Sequence, residues 1–288
     1  MAERSALAPA KVNLFLHVGP VDGDGYHPLA SLVAFADVGD RVTITPADRL
    51  SLTVEGPFAA GLEGPGDNLI LRALRALGQA AGIGEPPLAV TLDKRLPIAA
   101  GLGGGSSDAG AALKLARELL GLTLSDDALA DIAAAIGADG PMCLHARAAW
   151  AEGRGDRLSF EPRLPPLPAL LINPGVASPT GEVYRAFDTG SPAAADRPSP
   201  PAVWDTVAVI DWLAAQRNDL QAAAVARAPA IGEAIAAAGD LPGARLVRMS
   251  GSGATVFALF ETPEAAAAAA RRLTTDRPQW WITPANLG

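Results

Sequence analysis

Cysteine is almost absent from these 288 residues: Cys143 stands alone, so no disulfide can form within the chain. Histidine is nearly as scarce. His17, His27 and His145 lie far apart, and no pair has metal-ligand spacing. Aromatic residues make up only 5%, so the core has to be built from Ala, Leu, Val and Ile. Positive charge is also short: 23 Lys and Arg against 31 Asp and Glu give a formal net charge of −8. A nucleic-acid surface needs a basic field to neutralise phosphates, and this balance argues against one. It does not exclude a small anionic ligand, because a few oriented backbone N–H groups hold a phosphate without net positive charge. No apolar run approaches the roughly 20 residues of a membrane helix, and residues 1–7 lack a secretory leader's basic and apolar segments. These absences read as a soluble, cytoplasmic protein without a structural metal.

What is present is globular: 49% hydrophobic, 19% charged, with 30 Gly and 25 Pro for many tight turns. The length suits two cores better than one. Four prolines in residues 162–168 suggest a boundary, placing one domain at 1–160 and a second at 161–288. Residues 11–18 alternate like a strand, with Lys11, Asn13, Phe15 and His17 on one side. Residues 41–45 and 50–54 read as a hairpin around Pro46-Ala-Asp-Arg49, and 88–92 as another strand. Helices are expected at 68–81, at 106–120, and after the N-cap Ser125 until Gly137. A strand is expected at 148–151, a loop at 190–201, helices at 203–215, 222–238 and 263–273, and strands at 245–249 and 254–260. The mixed order predicts α+β layers.

The most informative stretch is Pro97-Ile98-Ala99-Ala100-Gly101-Leu102-Gly103-Gly104-Gly105-Ser106-Ser107. Three successive glycines reach backbone angles closed to other residues, so several N–H groups can converge on one point. The helix that follows adds unpaired amides and a positive dipole end, and Ser106 and Ser107 offer hydroxyls to a phosphate oxygen or a metal-bound water. The plainer reading is a flexible turn before a Ser-capped helix. A Walker loop needs Gly-Lys-Ser/Thr at its end, and no lysine stands there. The dinucleotide fingerprint fails because Ser106 occupies its last glycine position, and the His-Arg-Asp and Asp-Phe-Gly signatures of protein kinases are missing.

Gly101-Leu-Gly-Gly-Gly-Ser-Ser107 resembles the second motif of the GHMP kinase superfamily, named for its galactose, homoserine, mevalonate and phosphomevalonate members. The first motif, Pro9-Ala-Lys-Val-Asn-Leu-Phe-Leu16, and the third, Met249-Ser-Gly-Ser-Gly-Ala-Thr255, follow in the expected order. Asp24-Gly-Tyr-His27, Asp67-Asn-Leu-Ile70, Asp93-Lys-Arg-Leu-Pro97, Gly137-Ala-Asp-Gly-Pro141, Asn173-Pro-Gly175 and Asn218-Asp-Leu220 match the branch that phosphorylates a cytidine-diphosphate-linked sugar alcohol. Two departures stand out. Ile98-Ala-Ala100 takes positions where relatives carry more glycine, and Gly140 replaces an aliphatic residue.

The resemblance implies an N-terminal ATP-binding domain like ribosomal protein S5 domain 2, a C-terminal ferredoxin-like α/β-sandwich, and an active site in the cleft between. It implies ATP as co-substrate, magnesium arriving with the nucleotide, and a monomer or homodimer. Asp139 would accept the proton of the attacking hydroxyl, with Lys11 close by. Residues Pro97 to Ser107, with Asn68 and Lys94, would bind ATP, and Gly251, Ser252 and Gly253 would form a second glycine turn facing the phosphates. Asn13, Tyr26, His27, Thr180 and Tyr184 would hold the acceptor, with Tyr26 and His27 on the cytosine.

Each residue has a plainer reading by itself. Lys11 reads as an edge-strand lysine, Asp139 as a turn residue, Asn68 as a helix N-cap and Lys94 as a solvated lysine. Tyr26-His27 reads as a turn aromatic with a surface histidine, and 251–253 as a hairpin turn. Another kinase of the superfamily, a catalytically silent nucleotide sensor and a nucleic-acid-binding module are the competing functions.

Overall fold

The computed structural model describes residues 3–62, 68–190 and 192–288. Asp67, of the 67–70 segment, and Ser191, of the 190–201 stretch, lie outside the described residues. The chain forms two compact units of interleaved segments. Met1–Ala10, Val38–Ile98 and Gly103–Ala146 make the first; Lys11–Asp37, Ala99–Leu102 and Arg147–Gly288 make the second. Strands β1 (Arg4–Val18) and β2 (Leu29–Pro46) have residues in both.

The first unit adds β3 (Ser51–Glu55), α1 (Leu69–Ala80), β4 (Leu88–Asp93), α2 (Gly104–Leu119), α3 (Asp126–Ile136) and α4 (Gly140–His145). β4 pairs antiparallel with β2, from Arg41↔Asp93 to Pro46↔Leu88, and parallel with β3, from Ser51↔Ala89 to Glu55↔Asp93. This corrects the hairpin expected between 41–45 and 50–54, because β4 lies between the two strands. A parallel pair needs a crossover, and α1 supplies it between β3 and β4. Ile70, Leu74 and Leu77 of α1, Leu113 and Ala116 of α2, Leu129 and Ala133 of α3 and Leu144 of α4 bury their side chains with Val42, Ile44, Val90 and Leu92.

Local rules fix the helix ends. Asn68 caps α1 by accepting from the Ile70 amide, and Ser125 caps α3 by accepting from the Ala128 amide, with Asp126 and Asp127 in its first turn. Gly137, extended at φ −177°, ends α3 as expected. Helix α2 begins at Gly104, two residues earlier than its serines suggest, with Gly103 as N-cap.

The second unit contains β5 (Ala149–Gly153), β6 (Arg157–Phe160), β7 (Leu167–Asn173), α5 (Thr180–Phe187), α6 (Thr206–Ala214), α7 (Gln221–Arg227), α8 (Pro229–Gly239), β8 (Leu246–Met249), β9 (Val256–Leu259), α9 (Pro263–Asp276) and β10 (Trp281–Leu287). Strands run in the order β10-β7-β9-β8, each antiparallel to its neighbour, and β2 pairs with both β5 and the end of β10. The single helix expected over 222–238 is two. Ala228, at φ −133° and ψ 84°, has left the helical region, as the ring of the following Pro229 demands. Residues 162–168 lie inside this unit, where Leu164 and Leu167 are buried. Among the described residues, no helix is long and apolar enough to cross a membrane.

Candidate active site

In the first unit the candidate residues gather around the start of α2. Gly103 has φ 62°, a left-handed conformation that glycine takes without a Cβ clash. Gly104 and Gly105 are helical and tightly packed: an added Cβ would stand 3.1 Å from Lys94 Nζ at Gly104 and 3.2 Å from Leu69 Cδ1 at Gly105. The first bond back to the cap joins the Ser107 amide to the Gly103 carbonyl at 2.9 Å, so the preceding amides have no partner inside the helix. Ser107 is buried, yet its hydroxyl has no hydrogen-bond partner, and the same holds for Asp108 Oδ1. Buried orphans of this kind are rare and point to a ligand or water that satisfies them.

Asn68 is the helix cap described above. Lys94 is not the solvated lysine of the plainer reading, being only 3% exposed. Its ammonium lies 2.5 Å from Asp40 Oδ2 and 2.8 Å from Asp108 Oδ2. The second Asp40 oxygen accepts from the amides of Arg95, at 2.6 Å, and Leu96, at 2.8 Å. Two buried carboxylates thus share one ammonium. Burial pushes the Asp108 carboxyl up to about 7, with Lys94 pulling it down and Asp40 adding to the rise. Burial would lower Lys94, but the two carboxylates more than reverse this and hold it above its ordinary value. The sequence reading missed Asp40 and Asp108. Asp108 could have been found as an acid just after the serines; Asp40 reaches Lys94 across 54 positions and leaves no local signal.

Asp139 stands at the N-cap of α4, without a side-chain bond to the helix amides, and its carbonyl accepts from the Cys143 amide at 3.0 Å. Two glycines hold this short helix in place. A Cβ on Gly140 would lie 2.0 Å from the Ala133 carbonyl oxygen of α3, and one on Gly110 of α2 would lie 2.9 Å from Leu144 Cα. Gly140 is therefore required by contact between the helices, which explains one departure from the motif. The turn before Asp139 lies beside α2: a Cβ on Gly137 would be 4.0 Å from Ser106 Oγ. Pro97 leads into the loop, and Ile98 packs over the turn at Gly61, where a Cβ would meet its Cδ1 at 2.5 Å.

In the second unit Lys11 and Asn13 are buried side by side on β1, with Lys11 Nζ donating to Asn13 Oδ1 at 2.9 Å. The Asn13 amide nitrogen Nδ2 donates to Ser31 Oγ at 2.8 Å, and Ser31 donates to the Phe15 carbonyl at 2.6 Å. β1 is pinned from behind by Arg248, whose buried guanidinium donates to the carbonyls of Leu14, Leu213 and Gln216. Burial pulls Arg248 down to about 10, still charged at neutral pH.

The middle of the glycine loop joins this framework. The Lys11 amide donates to the Leu102 carbonyl at 2.8 Å, the Thr255 amide to the Ala100 carbonyl at 3.1 Å, and Ser250 Oγ to the Gly101 carbonyl at 3.0 Å. The same Ser250 oxygen accepts from the Asn13 backbone amide. Gly101, at φ 74°, sits so close that a Cβ would be 2.4 Å from the Ser250 carbonyl oxygen. Gly251 and Gly253 have φ 55° and 84°, and Asn218 Nδ2 donates to the carbonyls of Met249 and Gly251, each at 2.8 Å. Ala99, at φ 51°, is left-handed without being glycine.

Of the substrate-side residues, His27 and Tyr184 meet. His27 Nδ1 donates to the Gly19 carbonyl at 2.8 Å, and its Nε2 lies 3.1 Å from Asp188 Oδ1. Its ring centroid is 5.0 Å from that of Tyr184 and 5.9 Å from that of Phe187. Tyr26 is 55% exposed, with the Arg154 guanidinium 4.0 Å above its ring. Thr180 shares a 2.9 Å hydrogen bond with Ser252, linking α5 to the third glycine motif. Phe187 and Asp188 went unnoticed in the sequence, where nothing marks them as neighbours of His27.

Residues 68–147 match the GHMP kinases N terminal domain and residues 206–278 the GHMP kinases C terminal family. A 4-diphosphocytidyl-2-C-methyl-D-erythritol kinase of Caulobacter vibrioides is 55% identical over 98% of this chain and 99% of its own. A crystal structure of 4-(cytidine 5'-diphospho)-2C-methyl-D-erythritol kinase superposes with a TM-score of 0.80 at 35% identity, covering 99% of both chains. The Methanococcus jannaschii mevalonate kinase, at 13% identity and a TM-score of 0.69 over 100% of this chain and 99% of its own, shares the fold. The chain is thus a GHMP kinase, and within that superfamily it belongs to the family of 4-diphosphocytidyl-2-C-methyl-D-erythritol kinases.

Proposed function

We propose that the chain transfers the terminal phosphoryl group of ATP to the 2-hydroxyl of 4-diphosphocytidyl-2-C-methyl-D-erythritol, a step of the non-mevalonate route to isoprenoid precursors. The observation that carries this reading is the start of α2, where amides without a partner inside the helix and the orphaned Ser107 hydroxyl collect behind a left-handed glycine. That is a site for phosphate oxygens. Magnesium bound with the nucleotide would neutralise phosphate charge, and Ser106 and Ser107 are the hydroxyls that would be at hand for it or for a water it carries.

In the proposed reaction the acceptor oxygen attacks the terminal phosphorus, the bond to the bridging oxygen breaks, ADP leaves, and Asp139 takes the hydroxyl proton. The transition state is loose, so positioning and charge stabilisation outweigh base strength. Lys11 supplies charge stabilisation toward the transferring group, and Asn13 orients the acceptor. The residues from Pro97 to Ser107 cradle the triphosphate, together with Gly251, Ser252 and Gly253; Asn68 and Lys94 support the nucleotide side. Tyr26, His27 and Tyr184 hold the cytosine, with Thr180 beside them. In this reading residues 1–160 form the ATP-binding domain, which also lends Asn13, Tyr26 and His27 to the acceptor, and residues 161–288 form the substrate domain, which also lends Gly251, Ser252 and Gly253 to the triphosphate.

Turnover of Asp139→Asn and Lys11→Ala at saturating ATP tests the assignment. Each variant is expected to lose about 100-fold or more in kcat. Near-native turnover in both would end it.

A further inference from the structure

The ion cluster at the glycine loop takes in Lys94 of the nucleotide side, but its two acids have no part in the chemistry just described, and it is built at the loop's two ends. Asp40 grips the amides of Arg95 and Leu96, the last residues before Pro97. Asp108 stands just beyond the loop, in the second turn of α2. The Lys94 ammonium bonds to both acids, and all three side chains are buried. Gly104 packs onto this ammonium closely enough that a Cβ would come within 3.1 Å of it.

Buried ion clusters are poor stabilisers, because desolvation offsets most of the attraction. Their bonds are strict in geometry, since little water competes for them. A cluster with two acids for one base is a costly way to stabilise a fold but an effective way to fix a distance. We infer that Asp40, Lys94 and Asp108 form a clamp that sets the spacing of the loop's phosphate-binding amides, with Asp108 as a positioning residue for ATP. Lys94 then serves the nucleotide by holding the loop from beneath, and the acceptor side is independent of it. This inference rests on the reading that the amides of residues 103–107 bind nucleotide phosphates.

The test compares Asp108→Ala with Asp108→Asn, which keeps an oxygen to accept from Lys94. Titration calorimetry gives the dissociation constant for ADP, and steady-state kinetics give the KM for ATP and for the acceptor. Asp108→Ala is expected to weaken ADP binding and raise the KM for ATP by about tenfold, with the acceptor KM unchanged. Asp108→Asn is expected to restore both to within about threefold. Were Lys94 instead a direct nucleotide ligand, releasing it from Asp108 would leave ADP affinity unchanged or improve it.

Should Asp108→Ala not fold, Gly104→Ala presses on the same ammonium without altering charge, and the same selective weakening is expected. Wild-type affinity for ADP in the variant that folds, an Asn substitution no better than Ala, or a parallel rise in both KM values would overturn the clamp. A wild-type protein that does not bind ADP would overturn the nucleotide reading itself.

Discussion

Ala99 shows how one residue can bear a backbone cost for its position. Its φ of 51° belongs to the left-handed region, where a Cβ crowds the following carbonyl at a cost of roughly 1–2 kcal/mol. Glycine would remove that crowding and add back part of it as unfolded-chain entropy, roughly 0.5–1 kcal/mol. Ala99→Gly is therefore expected to match or exceed the wild-type stability by up to about 1 kcal/mol in urea titration. A clear loss would show that the alanine methyl makes contacts that matter more than its backbone strain. Gly140 is the opposite case: contact with Ala133 leaves no room for a Cβ. Both departures from the family motifs thus concern the loop's approach and the setting of Asp139, and neither takes away a reacting group.

Elements whose signals are local were legible in the sequence. The capped starts of α1 and α3, the glycine stop after α3 and the alternation of β1 each follow from a few neighbouring residues. Pro229 carried the signal that divides α7 from α8, but the run of alanines around it masked the break. Pairing was less legible. Nothing within 41–54 tells that β4, more than thirty positions on, takes the place between β2 and β3. The two glycine motifs and Lys11, Asn13 and Asp139 could be picked out as candidates because each lies in a contiguous signature. The Asp40–Lys94–Asp108 cluster could not, since its members come from a strand, a strand end and a helix.

That cluster also predicts a pH dependence. Asp108 titrates at about 7 in the folded protein and near 3.8 in the unfolded chain. Between those values the folded state holds a proton that the unfolded chain has released, so stability falls as pH rises through the window. Asp108→Asn abolishes this term. The melting temperature of the variant relative to wild type is expected to be more favourable at about pH 8 than at about pH 5. A difference independent of pH would contradict the raised Asp108 value.

For the whole molecule, a net charge of −8 coexists with a site proposed for two polyanionic substrates. The shortage of positive charge still permits this, because main-chain amides and a few placed cations can hold phosphates without a basic surface. Each unit has its own core of small aliphatic residues, and each contributes glycine turns to the motifs that define the superfamily. The fold is common to kinases acting on different alcohols, so the substrate is decided by side chains rather than by architecture, and Tyr26, His27 and Tyr184 are the ones proposed for that role. The most direct test is ADP release from ATP with 4-diphosphocytidyl-2-C-methyl-D-erythritol as acceptor, beside mevalonate and homoserine. The account predicts sustained, acceptor-dependent release with the cytidyl substrate alone; release with mevalonate or homoserine instead, or with none of the three, would contradict it.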